Sequence, residues 1–226
     1  MAIGVGTGLY TTSEVSRLTG LSRSRVRRWI SGYKFKSHGS ERRSGPVVLR
    51  DAADGDMVTF LDLVEILFVR AFLEHGVTMN EIRRASVKAI ELYGGDHPFA
   101  VHRFETDGKE IFARISDKRS KRKRILGVVG GHLSFEEVVA PCFKQIDFRA
   151  SGDAIRWWPL GKRAPVMLDP QIAFGAPVTK TAHVPTFAIG AALASGESPR
   201  RVAKWFEIPV RDVKAAGTLE RHQIAA

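Results

Sequence analysis

The chain has 226 residues, 35 Lys+Arg against 24 Asp+Glu, a formal net charge of +11 and 44% apolar residues. That apolar share supports a packed core and excludes wholesale disorder, and the length allows one large domain or two small ones. A single cysteine, Cys142, excludes an intramolecular disulfide framework and a multi-cysteine zinc site and fits a reducing cytoplasm.

No run reaches the roughly 18 apolar residues of a membrane span. The start, Met1 to Tyr10, lacks the basic and apolar regions of a signal peptide. A cytoplasmic protein with no membrane partner is therefore expected. The charge is uneven: residues 1–50 carry ten Lys/Arg and two acids, whereas 51–115 carry seven bases and twelve acids. A concentrated basic start suits a polyanionic partner, although a solvated basic surface has the same composition.

Thr11 is placed as a helix N-cap, with Glu14 three residues on to close a capping box and Tyr10 and Val15 spaced as a hydrophobic staple. Gly20 provides a turn. Ser22 then caps a second helix, about Arg23 to Ser31. In it Val26, Trp29 and Ile30 fall at i, i+3, i+4 and face inward. Arg23 and Arg27 share one outer face, and Ser24 and Arg28 the next. Two short helices, a Gly turn and four arginines in the second helix make a helix-turn-helix signature, with a plain helical hairpin as the alternative. In such a motif the second helix enters the major groove. Ser22, Arg23, Ser24 and Arg27 are then the candidate base readers. Tyr33 to Arg50 follows, punctuated by Gly39-Ser40 and Ser44-Gly45-Pro46, with a strand candidate at Val47-Val48-Leu49. It is a basic hairpin, or a flexible basic loop. Arg28, Tyr33, Lys34, Lys36, Arg42 and Arg43 are the candidate phosphate contacts.

The run Tyr10-Thr11-Thr12-Ser13-Glu14-Val15-Ser16-Arg17-Leu18-Thr19-Gly20-Leu21-Ser22, with Val26-Arg27-Arg28-Trp29, resembles the DNA-binding start of MerR-type winged helix proteins. Phe72-Leu73-Glu74-His75-Gly76-Val77-Thr78-Met79-Asn80-Glu81-Ile82 resembles the helix pair after the wing in that family. The match spans roughly residues 9–90. It implies that Arg27 and Arg28 sit where the family touches DNA and that Trp29 packs beneath. There is no cysteine cluster and no long C-terminal dimerisation helix, so neither a metal nor a cofactor is expected.

Phe60 to His75 is apolar nearly all round and is expected as a buried helix. Thr78 and Glu81 form a second capping box, opening a helix to about Tyr93. Phe99–Phe104 and Ile111–Ile115 flank Thr106-Asp107-Gly108, which predicts a β-hairpin. Residues 118–124, Lys-Arg-Ser-Lys-Arg-Lys-Arg, are expected as a basic loop, solvated or touching phosphates. Gly127 to Gly131 matches neither a GxGxxG nor a P-loop pattern and reads as strand and turn. Ser134 is placed to cap a helix to about Lys144, and Cys142 within it reads as a small buried hydrophobe. Gln145–Phe148 and Ala154–Trp158 predict a hairpin, with one of Trp157 and Trp158 exposed by alternation. A short strand is expected at Val166-Met167-Leu168.

Near the end, Thr186 is placed to cap a helix to Ser195. Ser198-Pro199 opens a second helix and Ile208-Pro209 a third. Arg200, Arg201, Lys204, Arg211 and Lys214 are a possible second contact with nucleic acid or a protein partner, diluted by Glu207, Asp212 and Glu220. Phe174-Gly175-Ala176-Pro177-Val178, Val184-Pro185-Thr186 and Gly196-Glu197-Ser198-Pro199-Arg200-Arg201-Val202-Ala203 together resemble a short module of bacterial antitoxin-like proteins. Joined to a MerR-like start, this is similar to one branch of the VapB antitoxins. The resemblance implies an autorepressor that binds its own operon and neutralises a PIN-like ribonuclease toxin.

The expected fold is therefore α+β and helix-rich. A MerR-like winged helix-turn-helix occupies residues 1–95, an α+β middle with hairpins 96–167, and a small helical helix-turn-helix-like module 168–226. The expected partners are double-stranded operator DNA, a cognate ribonuclease toxin and a second copy in a homodimer. A free-standing MerR-like regulator with a small-molecule effector is the alternative. Catalysis is not expected, because the seven histidines are scattered and no HExxH or GxSxG pattern occurs.

Overall fold

A computed structural model of the chain describes residues 8–37, 39–49, 57–115 and 135–224. The basic run 118–124, the glycine-rich 127–131 and Ser134 lie outside the described residues.

The chain starts with β1 (Leu9–Tyr10), which pairs antiparallel with the later β4 (Val58–Thr59). Then come α1 (Thr12–Thr19) and α2 (Arg23–Ser31). The Thr11–Glu14 capping box is closed in both directions, and Gly20 ends α1 in the left-handed conformation at φ 70°. Ser22 caps α2, its Oγ accepting the N–H of Arg25. The expected hairpin follows as β2 (Tyr33–Ser37) and β3 (Ser40–Ser44).

Val47–Leu49 is not the expected strand. The N–H groups of Val47 and Val48 both donate to the Trp29 carbonyl, at 2.8 and 3.1 Å, while their side chains enter the core. A helix end leaves carbonyls without partners, and here the returning chain supplies the donors.

Next, α3 (Phe60–Glu74) is buried along most of its length, as its composition requires. It opens with a second closed capping box, Thr59 with Asp62. The third box, Thr78 with Glu81, opens α4 (Met79–Tyr93). Residues 98–115 do not form the expected β-hairpin: Phe104–Ile115 is a helix, α5. Phe104, Gly108 and Ile111 fall at i, i+4, i+7, so the same residues fit a helical period. Asp107 lies in its first turn and bonds Arg103 at 3.2 Å. Gly108 is no turn residue; a Cβ there would lie 2.3 Å from Cζ of Phe135. That ring belongs to α6 (Phe135–Lys144), which packs on α3 and α5.

The second expected hairpin is present as β5 (Ile146–Phe148) and β6 (Ala154–Trp157), with a bulge between Asp147 and Phe148. Trp157 and Trp158 do point to opposite faces, but both are buried, against the expectation that one is exposed. Trp157 joins the main core, while Trp158 packs with Met167 and Val178 and donates its indole N–H to Asp147 at 2.8 Å. Both faces of the strand are covered, so alternation does not expose either ring. The chain continues through β7 (Val166–Met167), a 3-10 turn at Ala173–Gly175 and β8 (Val178–Thr179), which pairs with β7.

Three helices end the chain: α7 (Thr186–Ala194), α8 (Pro199–Trp205) and α9 (Val210–Ile224). Ser198 caps α8 as expected. Thr186 is not the cap of α7. Pro185 holds that position, and Thr186 is buried as the first helical residue, donating its hydroxyl to Glu220 at 2.5 Å. Gly190 and Gly217 let α7 and α9 approach closely; a Cβ at either would press on Glu220 or Leu193. One continuous core runs from Tyr10 to Leu168, and a second, from Val166 to Leu219, holds the three final helices.

Candidate nucleic-acid interface

The outer face of α2 follows from its inner one. Val26, Trp29 and Ile30 are buried in the main core, so Arg23, Ser24, Arg25, Arg27 and Arg28 all emerge exposed. Ser22 precedes them, its Oγ 3.2 Å from that of Ser24. No other layer of the described fold covers this row. Arg25 is the residue that the sequence reasoning passed over. It lies three residues before Arg28 on the same face, so the helical period alone could have included it.

The hairpin after α2 has two unlike faces. Its register pairs Tyr33 with Ser44, Lys34 with Arg43, Phe35 with Arg42 and Lys36 with Glu41. Directly opposed residues share a face, so Tyr33, Phe35 and Arg42 lie on one side and Lys34, Lys36, Glu41 and Arg43 on the other. Arg42 and Arg43, adjacent in sequence, therefore point in opposite directions. Lys34 and Glu41 approach to 3.4 Å, which offsets part of the charge on the second face. On the first face the Tyr33 and Phe35 rings are 5.8 Å apart, and the Arg28 guanidinium lies 5.4 Å from the Tyr33 ring centroid. This contact ties α2 to the hairpin.

The supports come from α3 and α4. Arg83 donates to Ser44 Oγ and to the Gly45 carbonyl, each at 2.9 Å, clamping the base of the hairpin. Arg70 donates to the Thr19 carbonyl at the turn between α1 and α2, and pairs with Glu74 at 3.2 Å. These links span 39 and 51 residues, and no local pattern announces them. Arg25, Arg28, Tyr33, Arg70 and Arg83 line a cleft of about 640 Å3 between α2, the hairpin and the α3–α4 pair.

The second basic group is carried by the separately cored C-terminal helices. Arg200, Arg201, Lys204, Arg211 and Lys214 are all exposed. Arg201 pairs with Glu197 at 3.4 Å and stacks on the exposed Trp205. Asp212 is fully buried and still offsets part of this charge, because Arg211 lies 3.4 Å from its Oδ1. Asp212 stands three residues after Pro209, and proline has no N–H to complete a capping box. Among the described residues there is no group of three His, Cys, Asp or Glu side chains that could hold a metal ion, and no helix long and apolar enough to cross a membrane. Cys142 is half-buried, and burial pushes its thiol up to about 11, away from nucleophilic use.

Residues 8–86 match the family model described as "Putative DNA-binding HTH domain". That segment runs from β1 into α4 and contains the arginine row, the hairpin and both supporting arginines. The whole fold is similar to the crystal structure of Rv2018 from Mycobacterium tuberculosis. The two chains are 25% identical, with a TM-score of 0.67, over 92% of this chain and 96% of that one. Comparison with curated proteins returns no match. The helix-turn-helix match supports a DNA-binding regulator with DNA as its partner.

Proposed function

We propose that the chain is a transcriptional repressor that reads its own operator and serves as the antitoxin of a ribonuclease toxin. The observation that carries the DNA half is the uncovered row of guanidinium groups on α2, with the basic hairpin anchored beside it. Arg23, Ser24 and Arg27, with Ser22 at the N-terminus of the helix, read base edges. Arg28, Tyr33, Lys34, Lys36, Arg42 and Arg43 hold phosphates, with the hairpin as a wing. Four arginines within six residues repel one another unless polyanion charge offsets them. The antitoxin half rests on the sequence pattern from Phe174 to Ala203. Arg200, Arg201, Lys204, Arg211 and Lys214 then form a second contact for nucleic acid or for the toxin. A two-fold operator calls for a homodimer.

Each half has its own test. Arg27→Ala weakens binding to the chain's own promoter DNA by about 1–3 kcal/mol and relaxes preference at one base pair, as expected for a bidentate base contact. An equal loss on promoter and random duplexes, read by fluorescence anisotropy, reduces Arg27 to a phosphate contact. No promoter preference in the wild-type chain ends the repressor reading. For the toxin, the purified chain abolishes cleavage of RNA by the nuclease encoded beside its gene and co-purifies with it. The absence of such a neighbour, or undiminished cleavage, refutes the antitoxin role while leaving the DNA reading intact.

A further inference from the structure

The 3-10 turn at Ala173–Gly175 holds two non-glycine residues at positive φ, Ala173 at 47° and Phe174 at 54°. That conformation is costly for a bulky side chain. Phe174 recovers nothing by packing, since it is 87% exposed. The turn is nevertheless held from below: the Tyr10 hydroxyl donates to the Gly175 carbonyl at 2.9 Å, and a Cβ on Gly175 would lie 2.4 Å from that hydroxyl. A fixed, strained turn thus presents a phenyl ring to solvent. Phe187 of α7, 65% exposed, lines the same cleft of about 310 Å3, together with Leu9, Leu18 and Pro177. A second cleft of about 310 Å3 shares Phe187 and Glu220 and continues over Ala191, Ala194 and Gly217. Two large exposed rings over two clefts that share Phe187 mark a protein contact.

The rim tells which protein. It carries two acids, Glu14 and Glu220, and two bases, Arg17 and Arg221. It is therefore neutral on a chain whose net charge is +11. A polyanion or an acidic partner is drawn to the cationic surfaces of α2 and α8 instead. A second copy carries the same excess charge and is repelled by those surfaces, so it needs a locally neutral one. A two-fold contact sets a patch against itself, and a rim with equal acids and bases is complementary to its own copy. We propose that this surface joins two copies of the chain in a two-fold dimer, with Phe174 and Phe187 at its centre. Arg17 and Leu18 belong to α1, which packs on α2. The contact would therefore set the spacing between two α2 helices, which is where it deepens the repressor reading.

Sedimentation equilibrium of the full chain tests this. The wild type is expected to be a dimer, and the Phe174→Gly, Phe187→Ser double variant a monomer. Glycine suits the positive φ at 174, so Phe174→Gly alone keeps or raises the thermal midpoint, unlike the loss of a core residue. Should the double variant fail to fold, Phe187→Glu alone, at an exposed site, gives the same monomer. Val87→Ser, at an exposed apolar residue of α4, stays dimeric. A monomeric wild type overturns the proposal, even if some other protein covers the patch, and so does a folded variant that remains a dimer. Binding to a duplex holding one half of the promoter site is measured alongside. It is unchanged in the monomeric variant, whereas affinity for the complete site drops at least tenfold. Loss of half-site binding by the wild type itself would sink the DNA reading and leave the dimer standing.

Discussion

Glu65 is a carboxyl group where α3 meets the turn before α5, fully buried in the core. It accepts the N–H groups of Phe99 at 2.5 Å and Ala100 at 3.0 Å, which fix that turn. Burial pushes its pKa up from 4.5 to about 8, the nearby Asp62 charge adds to the rise, and the two N–H donors oppose it. A carboxyl whose folded pKa is raised binds its proton more tightly in the native state than in the unfolded one. Its stabilising effect is complete below the unfolded value and is lost as pH rises through about 8. The shift sets a limit of about 5 kcal/mol on that loss. In Glu65→Gln the amide oxygen still accepts both N–H groups, so the variant keeps the turn without the titration. The wild-type thermal midpoint is expected to fall relative to that of the variant between about pH 5 and 8. Parallel profiles would show that Glu65 does not titrate in that range. At this scale, helical period placed Arg23, Arg27 and Arg28 on outer faces of α2, where they are exposed, and passed over Arg25. Arg70, Arg83 and Glu65 were not legible, because each acts on a backbone group far away in sequence.

Elements were read well where local chemistry closes on itself. Capping boxes at Thr11 and Thr78, the Ser22 and Ser198 caps and the glycine ends all need only a few neighbouring residues. The junction of α2 and the β2–β3 hairpin shows how tight such local demands become. Gly32 has φ 72°, and a Cβ there would sit 2.4 Å from the Ser44 carbonyl oxygen. Gly32 combines that positive φ with an extended ψ of −174°, a region almost confined to glycine, so Gly32→Ala meets a backbone penalty of about 1–3 kcal/mol, with the clash added to it. Thermal unfolding should register that loss, and promoter affinity should fall with it as β3 is displaced. A variant with unaltered melting and binding would mean that the hairpin shifts freely. The α5 segment is the counterexample. Thr106-Asp107-Gly108 between apolar runs fits a hairpin equally well, and the choice belongs to Phe135. Its ring occupies the space beside Gly108 and stands in a cluster with Phe104 and Phe72, at centroid distances of 5.8 and 6.2 Å.

Across the molecule, the DNA-binding start does not own its core. α3 lies within the segment that matches the DNA-binding model, yet Phe68 and Phe72 pack against Phe104, Phe143 and Phe135, which lie well beyond it. The arginine row is thus held by a platform that includes the middle of the chain. The final three helices close a smaller core of their own, while α9 also touches α1. Composition, charge distribution and helical period by themselves determined an α+β chain with a basic helix-turn-helix at its start and a three-helix end. Each of those features arises from residues within a few turns of one another. Only the tertiary structure decided that α5 is a helix, that both tryptophans of the 157–158 pair are buried, that the β2–β3 hairpin has two unlike faces, and that Phe174 stands out strained. Those outcomes depend on which distant ring, carbonyl or strand fills the neighbouring space, and neither period nor propensity records that.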